Sequence, residues 1–193
     1  MNILVVLGSP RKNGNSEIAA QQVAETILET HPGSVEYLRL SGQKISPCIA
    51  CGGCSETGQC VIKDDMGAGY QSLDDADLVI LAAPIYFYGL SAQAKAFIDR
   101  CQARWSRKYL LKKQIRPGET RRGCLVCTAA TQGKKLFDGA ILVAKSFFDT
   151  LDIEYGGELL IRGVDEKGAI LGHSEKLQQA KEFARHLAQT YDS

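Results

Sequence analysis

Short apolar runs alternate along this chain with longer segments in which apolar residues recur at helical spacing. The apolar runs predict five β-strands, at Asn2–Leu7, Val35–Leu40, Asp77–Ala83, Gly123–Thr128 and Glu158–Ile161. The helical spacing predicts helices at Ser16–Glu29, from about Asp64–Asp65, and at Ser91–Gln102, Lys135–Leu151 and Ser174–Thr190. The third strand is apolar at every position after Asp77, which is typical of a strand that is covered on both faces.

Strands that alternate with helices form parallel βαβ units with right-handed crossovers. Five such strands predict an α/β, flavodoxin-like, doubly wound five-stranded parallel sheet in the order 2-1-3-4-5, with helices on both faces. In such sheets a ligand binds beyond the carboxyl ends of the strands, so the loops after Leu7, Ala83 and Cys127 are the candidates. We expect one domain over residues 1–193, with a cysteine-rich loop at 47–60 and a basic insertion at 104–122.

Composition restricts the class of protein further. The net charge of +1 gives no overall attraction to nucleic acid or to anionic lipid, so we expect neither partner. No segment approaches the roughly 20 apolar residues that a membrane span needs, and the first apolar run is too short for a signal peptide. These features predict a cytoplasmic protein. The seven cysteines then indicate metal or redox chemistry rather than disulfides, because cytosolic thiols are kept reduced.

The loop GSPRKNGNS, residues 8–16, is rich in groups that bind phosphate. It joins the first strand to a helix N-terminus, and its candidate ligands are Ser9, Arg11, Asn13, Asn15 and Ser16. It is not a Walker A loop, since five residues separate Gly8 from Gly14 and Asn15 replaces the lysine, and it is not GxGxxG. A phosphate monoester therefore fits better than a dinucleotide. The alternative is a polar turn that caps the helix through Asn15 or Ser16.

Three adjacent aromatic residues follow the third strand, in the segment Pro84–Gly89 (PIYFYG). Aromatic side chains at the mouth of a parallel sheet are costly to leave in water, and alternate members can line a flat cleft. Such a wall suits a planar ring system. The alternative is that the aromatic residues cover the sheet edge or form a dimer contact.

GSPRKNGNS and PIYFYGLSAQAKAFIDR together resemble the NAD(P)H-dependent FMN reductase branch of the flavodoxin-like superfamily, from residue 1 to about residue 135. The cysteine segment with VIKDDM (61–66) is similar to the iron–sulfur flavoproteins of that branch. The resemblance implies FMN, with its phosphate on residues 9–16, its ring against residues 84–89 and further contacts from residues 128–133. It also implies NAD(P)H as a possible donor and a homodimer or homotetramer. The further candidate cofactor ligands are Pro84, Ile85, Tyr86, Phe87, Gly89, Thr128, Thr131 and Gly133.

The four cysteines of the loop are candidate metal ligands with the spacing C-x2-C-x2-C-x5-C: Cys48, Cys51, Cys54 and Cys60. Zinc usually takes two separated CxxC pairs, whereas a compact run resembles ferredoxin-type motifs. The spacing therefore favours a [4Fe–4S] cluster, with zinc or free thiols as alternatives. Cys124 and Cys127 lie three apart in a strand and must face opposite sides, so we assign them to the core, together with Cys101.

We therefore expect an FMN-dependent oxidoreductase that passes electrons from NAD(P)H or a ferredoxin-type donor through FMN to a small-molecule acceptor. The alternatives are a cluster-free FMN-dependent quinone or flavin reductase and a non-catalytic flavodoxin-like electron carrier. We name no catalytic residue, because the cofactor carries the chemistry. The eight basic residues of 104–122 predict either attraction of an anionic partner or a segment that packs on a neighbouring subunit. Asp64 and Asp65 are expected to cap a helix.

Overall fold

The computed structural model describes residues 1–191. The strands are β1 Asn2–Leu7, β2 Ser34–Arg39, β3 Leu78–Tyr86, β4 Gly89–Leu90, β5 Arg122–Ala129 and β6 Glu154–Arg162. The helices are α1 Asn15–Leu28, α2 Met66–Asp75, α3 Ala92–Arg100, α4 Gln102–Trp105, α5 Asp138–Thr150 and α6 Ser174–Gln189. Every predicted strand and helix is present, with shifted ends.

The five long strands form one parallel sheet in the order β2-β1-β3-β5-β6. Counted along the chain without the short β4, this is the predicted order 2-1-3-4-5, which is confirmed. The predicted flavodoxin-like α/β fold is confirmed with it. All five carboxyl ends lie at one edge of the sheet, which brings the loops after β1, β3, β5 and β6 together.

The sheet separates two apolar layers. On one face it packs against α1 and α6, and on the other against α2, α3 and α5. Cys124 lies in the first layer and Cys127 in the second, both fully buried, as the alternation of side chains in a strand requires. Cys101 is also buried, in the second layer. The assignment of these three cysteines to the core is confirmed.

β6 and β3 extend furthest beyond their predicted limits. β6 begins at Glu154 rather than Glu158, because Gly156 and Gly157 form part of an irregular stretch of strand instead of a turn. Gly157 has a φ of +112°, and the register against β5 shifts between Gly123 and Leu125. A glycine in a strand often marks such a bulge.

The end of β3 contains a turn that the sequence pattern did not predict. β3 continues to Tyr86 and turns back through Phe87 and Tyr88 into β4, which pairs antiparallel with it. Both turn residues have left-handed backbone angles, with φ of 50° and 63°. Two consecutive residues of this kind form a tight hairpin that usually selects Asn and Gly, so an aromatic pair carries no sequence signal for this turn.

The basic segment begins as a continuation of the helical path of α3. α4 and a π-helical turn at Ser106–Leu110 carry the helical path on to residue 110. No helix among residues 1–191 combines the length and the apolar character needed to cross a lipid bilayer.

Candidate functional site

A cavity of about 210 Å³ opens at the carboxyl edge of the sheet, where four strand-ending loops meet. We call it the rim cavity. Eight of the predicted cofactor ligands line it: Ser9, Arg11, Asn15, Ser16, Pro84, Ile85, Tyr86 and Thr128. The structure therefore brings together residues that stand up to 119 positions apart in the sequence, through the parallel strands that precede them.

Five predicted ligands do not line the rim cavity: Asn13, Phe87, Gly89, Thr131 and Gly133. Its walls also include Gly14, Ala129 and Ala130, which lie within the predicted segments 9–16 and 128–133. The residues that the sequence reasoning missed are Val164, Asp165 and Lys167, and all three belong to the loop after β6. The signal that could have found them is topological, since β6 is parallel to its neighbours and its carboxyl end must reach the same rim.

The first loop is folded tightly by its own polar groups. The Ser9 hydroxyl accepts from the Arg11 amide at 3.1 Å and donates to the Arg11 carbonyl at 3.2 Å. A Cβ on Gly14 would lie 3.1 Å from the Ser9 hydroxyl, so the chain approaches itself closely here. The first-turn amides of α1, at Asn15 and Ser16, have no intrahelical acceptor and stand beside the rim cavity. Such an arrangement is suited to an anion at a helix N-terminus.

The start of α1 is capped from within the helix by Glu17. Its carboxylate accepts from the Asn13 amide at 2.6 Å and pairs with both terminal nitrogens of Arg39, at 2.9 and 2.5 Å. Burial raises the pKa of Glu17, but the hydrogen bonds from Arg39 and from the Asn13 and Gly14 amides outweigh it, and the net pKa is lowered. The alternative of capping by Asn15 or Ser16 is therefore wrong.

Two residues of the first loop also hold the loop after β6. Arg11 donates to the Asp165 carbonyl at 2.9 Å. The Asn15 amide group donates to the Glu166 carbonyl at 2.9 Å and accepts from the Ile170 amide at 3.1 Å. Asn15 thus positions a wall of the rim cavity, and the loop it holds brings Lys167 to the cavity as a second cation beside Arg11.

The aromatic segment contributes less to the cavity wall than predicted. Tyr86 lines the rim cavity, whereas Phe87 is fully exposed and Tyr88 is 60% exposed at the hairpin tip. Left-handed backbone is a genuine outlier for bulky residues, and such strain clusters at functional sites. The tip is held against α5, where a Cβ on Gly139 would lie 2.8 Å from the Tyr88 carbonyl oxygen.

The four loop cysteines surround a second cavity, of about 230 Å³, which we call the cysteine cavity. Cys48, Cys51, Cys54 and Cys60 all line it, and all four are free thiols. The Cys54 sulfur lies 3.4 Å from the Ser106 hydroxyl at the end of α4. Within residues 1–191, no three Cys, His, Asp or Glu side chains converge closely enough to hold a single metal ion.

The cysteine loop takes backbone conformations that few residues allow. Gly52 and Gly58 have φ of +72° and +69°, and Ala50 has a φ of +52°. A Cβ on Gly53 would lie 2.6 Å from a Val61 methyl carbon and 3.6 Å from the Cys51 sulfur. These positions let the loop turn repeatedly around the cavity and bring backbone close to the thiols.

Both ends of the cysteine loop are joined by a buried ion pair. Arg100 Nη1 donates to Asp64 at 2.7 Å and to the Ser46 carbonyl at 2.8 Å, and its Nη2 donates to Asp64 at 3.1 Å. Asp64 also accepts from the amides of Ser46, at 2.9 Å, and Met66, at 3.1 Å. The hydrogen bond from Arg100 lowers the pKa of Asp64 to about 2, against the opposing effect of burial.

The expected capping role is met in part by Asp64, whereas the side chain of Asp65 makes no capping hydrogen bond to α2. Asp64 accepts from the first amide of α2, but its main partner is Arg100. Asp65 accepts from the Lys44 amide at 2.7 Å, which joins the chain before the loop to the chain after it. The VIKDDM sequence thus closes the cysteine loop at its base.

Much of the charge in the basic segment is neutralised within the chain. Arg104 forms two hydrogen bonds with Asp74, at 2.9 and 2.7 Å, and Lys108 pairs with Asp149 and Asp152 at 3.0 and 3.3 Å. Arg121 is buried and donates to the backbone carbonyls of residues 73, 76 and 151. The positive electrostatic potential around this segment is therefore weaker than its eight basic residues alone would produce.

The sequence profile of the NADPH-dependent FMN reductase family matches residues 1–135. The chain belongs to this family. It is 41% identical over 100 residues to an iron–sulfur flavoprotein of Archaeoglobus fulgidus, a match that covers 52% of this chain and 45% of the relative. It is 38% identical over 119 residues to an iron–sulfur flavoprotein of Methanosarcina thermophila, with 60% of each chain covered. The match thus spans about half the length of these relatives.

Solved structures of low sequence identity share the fold of this FMN reductase family member. The NAD(P)H:quinone oxidoreductase of Methanothermobacter marburgensis superposes with a TM-score of 0.68 at 15% identity, covering 97% of this chain and 96% of that one. An FMN-dependent NADH-azoreductase of Bacillus anthracis gives a TM-score of 0.66 at 14% identity, covering 97% and 100%. These similarities support the fold alone.

We predict that Asp64→Asn lowers the free energy of unfolding by about 3 kcal/mol at pH 7, because it leaves Arg100 as a buried charge without its anion. The contribution of the carboxylate is present above its unfolded pKa, near 3.8, and is lost as the pH falls through the folded pKa of about 2. The difference between wild type and variant should therefore shrink below pH 4. Urea unfolding followed by circular dichroism at several pH values measures it.

The matched control is Asp99→Asn, which breaks the exposed Asp99–Lys95 pair one turn apart on α3. Such pairs contribute about 0.3–0.5 kcal/mol, so this variant should unfold almost like wild type. Equal stability of the Asp64 and Asp99 variants at pH 7 would contradict the stabilising role of the Asp64–Arg100 pair.

Proposed function

We propose that this chain is an FMN-dependent oxidoreductase that accepts electrons from NAD(P)H or a ferredoxin-type donor and passes them to a small acceptor. The observation that carries the proposal is the rim cavity, where eight predicted FMN ligands meet at the carboxyl edge of the sheet. Membership of the FMN reductase family supports it.

The residues of the rim cavity fit FMN. Free helix amides at Asn15 and Ser16, with the Arg11 guanidinium, would bind the phosphate, and Lys167 adds a second positive charge. Pro84, Ile85 and Tyr86 would hold the ring. When bound, FMN supplies two-electron and one-electron transfer that no side chain provides. The strained Phe87–Tyr88 turn fixes the position of this wall, and the Glu17–Arg39 pair fixes the phosphate loop.

The cysteine cavity fits a [4Fe–4S] cluster. Each iron of such a cluster takes one thiolate, so the four sulfurs stand around the cluster instead of meeting at one point. A single zinc ion would require sulfurs about 2.3 Å from a common centre. The four thiols around one cavity favour the cluster, and the names of the relatives support it. When bound, the cluster supplies one-electron transfer, while Cys48, Cys51, Cys54 and Cys60 would hold it.

A second candidate is a cluster-free FMN-dependent quinone or flavin reductase. It is favoured by the matching family profile, whose description, NADPH-dependent FMN reductase, is that of a flavin reductase.

We also propose a homodimer or homotetramer. The exposed Trp105 and Leu142, which flank a groove between α4 and α5, support an interface there.

Steady-state oxidation of NADPH or NADH tests the activity. We expect the anaerobically purified, FMN-loaded protein to oxidise at least one of them with a quinone acceptor, at roughly 1–1,000 turnovers per second. Protein stripped of FMN is the control. If the loaded protein turns over neither nucleotide, and reduced ferredoxin also gives no acceptor reduction, the chain is a carrier and the enzyme proposal is wrong.

We predict that Arg11→Gln weakens FMN binding about tenfold, because it removes a charge-assisted hydrogen bond to the phosphate, and leaves riboflavin binding unchanged. Calorimetric titration with the two flavins measures both effects. Because riboflavin lacks the phosphate, a change in its affinity would show that the Arg11 contact with the loop after β6 affects binding of the ring.

The matched control for this variant is Lys12→Gln. Lys12 is exposed and does not line the rim cavity, so removing its charge should change neither affinity by more than about twofold. An equal loss of FMN affinity in both variants would assign the effect to general electrostatics and contradict the phosphate site.

We predict that Cys54→Ala abolishes the absorption beyond that of FMN and reduces iron and acid-labile sulfide from about four of each per chain to near zero. FMN binding should be retained, since the rim cavity does not contain Cys54. Cys101→Ala, at a buried cysteine outside the cysteine cavity, should keep its iron. Iron-free wild-type protein after anaerobic reconstitution would remove the cluster and favour the second candidate.

A further inference from the structure

We propose that Arg100 is the hydrogen-bond and charge partner of the cluster in the cysteine cavity, and that it raises the reduction potential of this cluster. The inference rests on the cluster proposed above and names a residue outside the cysteine motif. Arg100 stands at the end of α3, 40 positions after Cys60, where a basic residue in a helix gives no sign of such a role.

The first observation is the place of the side chain. Arg100 is 1% exposed and lines the cysteine cavity together with all four thiols. Few arginines are so completely buried, because a buried charge is costly unless it is paired. Asp64 supplies one negative charge and fixes the orientation of the guanidinium through its two terminal nitrogens.

The second observation is a hydrogen-bond donor that has no acceptor. The terminal nitrogens of Arg100 are used by Asp64 and by the carbonyls of Ser46 and Ile62, but Nε is buried with no partner. Leaving such a donor unsatisfied costs about 1–3 kcal/mol, and more for a charged group. Among residues 1–191 the other such side-chain atom is Nε of Arg122, which lies at the opposite end of the sheet and lines neither cavity.

The third observation is electrostatic. Arg100 is a permanent cation, because a guanidinium keeps its proton in proteins. It lines the cysteine cavity together with Cys60. A cluster ligated by four thiolates is anionic, and reduction adds a further negative charge. A cation and an N–H donor beside it stabilise the reduced form more than the oxidised form, which raises the potential.

The test compares three variants of the anaerobically reconstituted, FMN-loaded protein. Arg100→Gln removes both the charge and the Nε donor, and Arg100→Lys keeps the charge without that donor. Arg104→Gln is the matched control. Arg104 lies four residues after Arg100, is also buried and forms two hydrogen bonds with Asp74. It does not line the cysteine cavity. The readouts are FMN content, iron and sulfide per chain, and the cluster midpoint potential from a redox titration followed by electron paramagnetic resonance.

We expect Arg100→Gln to change the one-electron equilibrium of the cluster at least tenfold toward the oxidised form, a shift of about 59 mV to more negative potential. Its iron affinity should fall roughly 10–100-fold, as for other groups that support metal ligands. Arg100→Lys should shift the potential in the same direction by less. Arg104→Gln should keep the wild-type potential and iron content.

The outcomes separate the inference from the proposed function. If wild type and Arg100→Gln both contain the cluster and its midpoint potential is the same in both, the inference is overturned and the proposed function stands. An equal shift in Arg104→Gln also overturns it, since the effect is then not local. If Arg100→Gln loses its cluster or its fold, Arg100→Lys decides: a lowered potential supports the inference and an unchanged one overturns it. Wild-type protein that takes up no iron overturns the inference and the proposed cluster, and the FMN-dependent activity is then decided by the NAD(P)H oxidation assay.

Discussion

A parallel sheet buried on both faces is the constraint on which this molecule depends. Its five long strands carry apolar side chains into two separate layers, with α1 and α6 on one side and α2, α3 and α5 on the other. Both faces are covered by apolar side chains, so polar site residues cannot lie on them. They lie in the loops at the carboxyl edge, where all five strands end, and the rim cavity is at this edge.

Two carboxylate–arginine pairs, each with one fully buried partner, hold the loops that carry the candidate chemistry. Glu17 and Arg39 support the phosphate loop, and Asp64 and Arg100 close the cysteine loop at its base. Buried ion pairs contribute little net stability compared with apolar packing, because both charges must be desolvated. What they provide is a defined geometry. In each case the carboxylate also accepts backbone amides, so the loop cannot move without breaking the pair.

The hairpin at the end of β3 shows a different means of fixing a loop. Phe87 and Tyr88 adopt left-handed backbone angles that bulky residues avoid, and the turn is kept by pairing with β4 and by close packing on α5. The strain is concentrated beside the rim cavity. The turn leaves Phe87 fully exposed and places Tyr86 at the cavity wall, so none of the three aromatic residues is buried in the core.

The long strands, their order and the two loops of greatest interest were predictable from the sequence. Period-two alternation placed Cys124 and Cys127 on opposite faces, and the polar residues after β1 indicated the candidate phosphate loop, because such signals are local. Which distant residues complete each site depended on how the elements pack. The Arg11–Asp165 contact spans 154 positions, and the Asp64–Arg100 pair spans 36. Periodicity in a sequence predicts which face of an element a residue occupies but not which distant residue it contacts. The places of the loop after β6 and of Arg100 in the two sites therefore depend on the packing of the elements.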